Sequence, residues 1–206
     1  MASRVLSICF FLVLFFVQTP ETVARQSDAI QTGFLKIVPD SQSTSPSGLA
    51  ILKTRAVGVL ISETPVPSST TIDSGRIFVD IGGASNTALA LANPSNEEAL
   101  ISFYFTDPNG HDLGAGSYSL LPNHQIASFL ADAPFGLGTS LTGTFTFSAS
   151  RPIAALAIRG IMNERREMLM TTLPIAALGN DARSKTLLFP HFEDCLLYTS
   201  PSPRDS

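Results

Sequence analysis

The chain has 206 residues, with 13 Lys and Arg against 17 Asp and Glu and a formal net charge of −4. No basic run interrupts that balance, which excludes the electrostatic footprint of a nucleic-acid binder. The 44% of apolar residues suffices for a packed core, while two cysteines and three histidines leave little for a disulfide framework or a metal centre.

The first element in chain order is an export signal. Arg4 precedes an unbroken apolar run over residues 5–17, and residues 18–24 are more polar and end in the small-x-small triplet Thr22-Val23-Ala24. A run of about thirteen residues falls short of the roughly twenty that a spanning helix needs and has the length of a secretory h-region. Residues 1–24 therefore read as a signal peptide cleaved after Ala24, with an uncleaved anchor as the alternative. Cys9 lies inside the apolar run instead of closing it, which argues against lipoprotein processing. The expected location is secreted, extracellular or at the cell surface, with no stable membrane span after cleavage. No cysteine then remains between residues 25 and 194, so the exported part must stand on its apolar core.

Next comes a repetition. Gly33-Phe34-Leu35-Lys36-Ile37 reads like Gly143-Thr144-Phe145-Thr146-Phe147, and Gly48-Leu49-Ala50-Ile51-Leu52 like Pro152-Ile153-Ala154-Ala155-Leu156. Leu60-Ile61-Ser62-Glu63-Thr64-Pro65-Val66 reads like Leu169-Met170-Thr171-Thr172-Leu173-Pro174-Ile175, and Arg76-Ile77-Phe78-Val79-Asp80 is echoed by Leu187-Leu188-Phe189-Pro190-His191. The matches share their order and a spacing of about 110 residues, the signature of tandem units. Residues 31–67 are expected to be a partial or degenerate unit, 75–178 a complete one and 186–194 the first strand of another. The Pro/Ser/Thr-rich stretch 65–71 and the polar stretch 179–185 have the character of boundaries.

Within residues 75–178 the apolar period is two. Ile77, Val79 and Ile81 alternate with Phe78 and Asp80; residues 87–92 follow, closed by Asn93-Pro94; residues 99–106 are β-branched and aromatic. Asp107-Pro108-Asn109-Gly110 is a hairpin turn signal. Further strands are predicted over 117–121, 125–130, 142–148, 153–159 and 168–173, with one helical turn over 127–133 and a flexible loop over 134–141. Short strands at this spacing predict an all-β chain, an antiparallel β-sandwich with one complete unit flanked by partial ones.

Arg76-Ile77-Phe78, then Asn86-Thr87-Ala88-Leu89-Ala90-Leu91-Ala92-Asn93-Pro94 and Ile101-Ser102-Phe103-Tyr104-Phe105-Thr106-Asp107, resemble a tandem repeat of secreted bacterial proteins. The closing stretches Pro152-Ile153-Ala154-Ala155-Leu156-Ala157-Ile158-Arg159 and Thr171-Thr172-Leu173-Pro174-Ile175 resemble it too, and Leu188-Phe189-Pro190-His191-Phe192 resembles the opening of another copy. The resemblance covers about residues 33–194 and implies an immunoglobulin-like or related β-sandwich outside the cell. It brings no catalytic residues. The last residues differ in kind: residues 195–205 back-translate to the transposase adapter used in short-read sequencing. Residues 195–206 are therefore read as adapter-derived, Cys195 included.

Candidate chemistry is sparse. Asp107, Asn109 and Asp112 offer the oxygens and the glycine-permitted turn of a Ca²⁺ loop, but Pro108 and His111 break the alternation of ligands and no distal Glu follows. The competing reading is a hairpin turn capped by Asp107. His111, His124 and His191 lack paired spacing for zinc, no Gly-x-Ser-x-Gly elbow is present, and Glu97 and Glu98 are adjacent and so point to opposite faces of a strand. No metal or other cofactor is predicted. Glu164-Arg165-Arg166-Glu167 reads as a solvated hairpin tip. Tyr104 lies on the strand face opposite Phe103 and Phe105, and together with Phe135 in the loop after residue 131 it is a candidate binding residue. The function expected from these signals is a non-catalytic extracellular repeat with a structural, adhesive or presenting role. The alternatives are a module binding an extracellular glycan or protein, or an accessory region of a secreted enzyme. Any binding is expected on the loops at 107–116 and 131–141.

Overall fold

A computed structural model of the chain describes residues 33–40, 42–44, 48–138 and 140–179. The expected signal peptide (1–24), the expected strand at 186–194 and the tail at 195–206 lie outside the described residues. The described part is all-β, and none of its residues is helical. Its strands are β1 (Leu49–Ala56), β2 (Val59–Pro67), β3 (Ile72–Ile81), β4 (Ser85–Ala92), β5 (Ala99–Thr106), β6 (Asp112–Leu120), β7 (Gln125–Phe129), β8 (Leu141–Met162), β9 (Met168–Leu173) and β10 (Ala176–Ala177).

All pairings are antiparallel, and the sheets do not close. β8, 22 residues long, organises them. Its first part, up to Ala149, lies between β3 and β5, giving the order β10-β3-β8-β5-β6. Its second part, from Ala154, lies between β4 and β9, giving the order β7-β4-β8-β9. The sequence predicts two strands here, over 142–148 and 153–159. They are one strand because the backbone stays extended through Ser150-Arg151-Pro152 while it changes sheets. Pro152 has no N–H to offer a ladder, which suits the changeover. The Ser150 hydroxyl accepts a hydrogen bond from the Leu100 N–H at 3.0 Å, so a side chain does there what a neighbouring carbonyl does elsewhere.

One apolar core joins the two strand sets. Ile77 and Val79 on β3, Ile101, Phe103 and Phe105 on β5, and Phe145 and Phe147 on β8 come from the first; Leu89 and Leu91 on β4 and Ala157 on β8 come from the second. The strict alternation of buried and exposed residues along β5 is what a period of two predicts for a sheet with one wet face. The Phe103 and Phe145 rings stack at 5.3 Å, and Phe105 meets Phe145 edge-on at 5.0 Å. Across β3, β8, β5 and β6 one core-facing row reads Gly75, Phe147, Phe103, Gly116. The two rings spread outwards over the two glycines: a Cβ on Gly116 would stand 2.6 Å from the Phe103 ring, and one on Gly75 would stand 2.8 Å from that of Phe147. Glycine is needed at both places for the space it leaves, since an aromatic ring on the neighbouring strand occupies it.

Residues 33–37 are extended without a ladder, and Leu35 and Ile37 are exposed. Three local expectations are corrected. β6 begins at Asp112 instead of residue 117, because the chain turns back immediately after His111. No helical turn covers 127–133: β7 continues to Phe129, and bends and turns follow it. The loop expected to be flexible after residue 134 is anchored, with Phe135 and Leu137 buried in the core.

A polar residue is built into the same core. Asn93 is fully buried directly after β4. Its Nδ2 donates to the carbonyls of Glu97 (2.7 Å), Leu120 (3.1 Å) and Leu121 (3.2 Å). Its Oδ1 accepts from the Ser95 N–H at 3.1 Å and the Ser95 hydroxyl at 2.6 Å. Asn93 thus ties the exit of β4 to the entry of β5 and the end of β6.

Candidate functional site

Three surface features are built by this fold. The first is the turn between β5 and β6. The Asp107 Oδ1 accepts the backbone N–H groups of Asn109 and His111, both at 2.8 Å, and its Oδ2 lies 3.0 Å from the His111 Nδ1. The turn is closed by the Asp107 N–H donating to the His111 carbonyl and the Gly110 N–H donating to that of Asp107, both at 3.0 Å. These bonds, the backbone N–H of His111 foremost, hold the Asp107 carboxyl down at about 2 from an ordinary 3.8, against the opposing effect of partial burial. Asp107 is thus engaged by its own loop. Asn109 stands on the exposed tip, and Asp112 opens β6 opposite Thr106. Among the described residues no group of three or more His, Cys, Asp or Glu side chains is placed to hold a metal ion.

The second feature is the outer face of the sheet β10-β3-β8-β5-β6. Its transverse rows follow from the register. One row reads Arg76, Thr146, Tyr104, Ala115 and the next reads Ser74, Ser148, Ser102, Ser117. The Arg76 Nε donates to the Thr146 hydroxyl at 2.9 Å, and its Nη2 donates to the Tyr104 hydroxyl at 3.3 Å. Between the rows runs an open groove of about 460 Å³, bordered by Tyr104, Thr146, Ser102, Ser148, Ser74 and Leu178. Tyr104, singled out in the sequence, therefore faces a groove. Phe135 does not: it is 5% exposed and packs edge-on against Phe103 and Phe145 at 5.5 and 5.4 Å. Its candidacy as a binding residue is corrected, because an aromatic side chain in a loop that reaches the core gains more there than in solvent. Arg76 is the site residue that sequence reasoning missed. It sits within a quoted motif, but only the register shows that it stands two strands from Tyr104, with Thr146 between them.

The third feature joins the β1–β2 hairpin to the rest. β1 and β2 form a two-stranded sheet of their own. β2 meets the outer edge of β9 with side chains instead of backbone: the Thr64 hydroxyl donates to the Met170 carbonyl at 2.5 Å, and the Met170 N–H donates to the Ser62 hydroxyl at 2.9 Å. Two hydroxyls thereby satisfy an edge residue that would otherwise present a bare donor and acceptor. Ser62 and Thr64 are buried by this contact, whereas Leu49, Ile51 and Val59 on the hairpin remain exposed. Before β9, Glu164, Arg165 and Arg166 of the expected tip at 164–167 are exposed, and the Asn163 Oδ1 accepts the N–H groups of Arg165 and Glu167, both at 2.9 Å.

No protein-family model matches the chain, and no curated protein does. A solved structure, that of Thermotoga maritima 1070, is similar over 50% of this chain and 94% of that one, with a TM-score of 0.42 and 12% identity.

Proposed function

We propose that the chain is a non-catalytic, extracellular structural repeat: an immunoglobulin-like β-sandwich unit, with a preceding partial unit represented by its closing hairpin, that spaces or presents something outside the cell. The observation that carries this reading is the joint at Met170. The hairpin β1–β2 does not extend the sheet of β8 and β9. It docks on the edge of β9 through Ser62 and Thr64, as one module set against another. The repetition supports it. Residues 60–66 and 169–175 share a sequence pattern, and β2 and β9 are each the second strand of an antiparallel hairpin. Modules stacked through small contacts act as a quasi-linear array. The apolar run at 5–17 and the small-x-small triplet before Arg25 support export. The test is a fusion of the chain to a phosphatase that is active only after export. Phosphatase activity is expected with the intact run and is lost when Leu12 and Leu14 are both changed to Arg. The purified chain is expected to show no turnover on ester, peptide and glycoside panels; turnover abolished by a single substitution in the chain would refute the non-catalytic reading.

A further inference from the structure

We propose that the outer face of the sheet β10-β3-β8-β5-β6 binds an acidic polysaccharide along its groove, with the guanidinium of Arg76, which stands beside the groove on Thr146 and Tyr104, as the receptor for its carboxylates. The inference goes beyond a spacing role and takes from it only the extracellular source of the polymer. Among the described residues the ion pairs are Lys53 with Glu63, Arg151 with Glu97 and Arg159 with Asp80, and the His111 ring lies against the Asp107 carboxylate. Arg76 is in none of them. Its side chain is nevertheless oriented, by the buried Thr146 hydroxyl at 2.9 Å and the Tyr104 hydroxyl at 3.3 Å. A guanidinium carries five donors, and these two contacts leave the remainder for a ligand. A fixed cation without a carboxylate partner favours an anion, and the planar fork of arginine suits a carboxylate.

The surroundings decide what kind of anion. Ser74, Ser148, Ser102 and Ser117 form a hydroxyl row across four strands, a span of about 14 Å at the usual strand spacing. Two aromatic side chains stand exposed on the same face: Tyr104, 36% exposed, and Phe78, 48% exposed and one alternation along β3 from Arg76. A uronic acid brings a carboxylate for the guanidinium, hydroxyls for the serines and an apolar ring face for the aromatics.

The experiment is isothermal titration of the full chain with galacturonate oligomers and with the same oligomers methyl-esterified, which removes the charge and keeps the sugar. Binding of the charged oligomers is expected, at least tenfold weaker once esterified. Arg76→Gln should weaken binding of the charged form at least tenfold and leave the esterified form unaffected. Tyr104→Phe, which keeps the ring, should cost only a few-fold, whereas Tyr104→Ala should cost tenfold. Arg76→Lys keeps the charge without the fork and is expected to fall in between, so the proposal stays testable if Arg76→Gln fails to fold. Lys53→Gln, remote from the groove, should bind like the parent. Absence of heat at millimolar oligomer, equal binding by Arg76→Gln, or equal binding of poly-glutamate would overturn the proposal.

Discussion

Asn93 is the polar residue on which the core is expected to depend most. In Asn93→Ala the carbonyls of Glu97, Leu120 and Leu121 lose the amide that reaches all three, and Ser95 loses its acceptor. Two amide hydrogens serve three carbonyls, so the side chain counts as about four hydrogen bonds, each contributing about 1 kcal/mol net. Water can reach the Ser95 side but not Leu120, whose bond to Asn93 is buried. The expected loss is therefore about 3 kcal/mol. For a domain of this size that lowers the melting temperature by roughly 12 °C or more. Far-UV circular dichroism during urea and thermal unfolding measures it. Asn93→Asp sharpens the test, because a carboxylate would face three carbonyl oxygens and its folded-state pKa would be raised above the ordinary carboxylate value. Sign then follows: the protonated form is the one the fold tolerates, so stability is fully present below the unfolded pKa of about 3.9 and is lost as pH rises through the folded pKa. Asn93→Asp should thus be closer to the parent at pH 4 than at pH 7. A loss below about 0.5 kcal/mol in Asn93→Ala would refute the reasoning.

Gly116→Val should destabilise by about 1–3 kcal/mol, because its Cβ meets the Phe103 ring, while Gly138→Ala, with open space around it, should change little in the same urea titration. The Asp107 carboxyl should titrate near 2 when followed by carbon-detected NMR, and a midpoint at the ordinary value of 3.8 would contradict the capped turn. Its lowered pKa means that the turn's stability is present above about 4 and is lost as pH falls through about 2.

The strand order along the chain was legible because alternation survives wherever one sheet face is wet. Residues 99–106 and 168–173 were read with the bounds that the structure gives β5 and β9. What failed was whatever depends on partners distant in sequence. Pro152 reads as a break, and only the two neighbouring sheets show that the strand runs through it. Phe135 in a Gly-rich loop reads as a surface aromatic, and only the space beside Phe103 and Phe145 draws it inside. Asn93-Pro94 reads as a breaker pair, which it is, but the burial of the amide depends on carbonyls almost thirty residues away. Tyr104 could be assigned to the outer face by parity alone. Arg76 could not be placed beside it without the register of β3 and β5 on β8.

The central claim is that the hairpin β1–β2 is a separate module fixed to the edge of β9 by two hydroxyls. Hydrogen exchange at the Met170 amide and along β1 and β2 tests it most directly, in the parent and in a Ser62→Ala, Thr64→Val double variant. The expected result is faster exchange at Met170 and through the hairpin, with the amides of β3, β5 and β8 as protected as in the parent. Unchanged exchange at Met170, or loss of protection throughout residues 72–177, would contradict it.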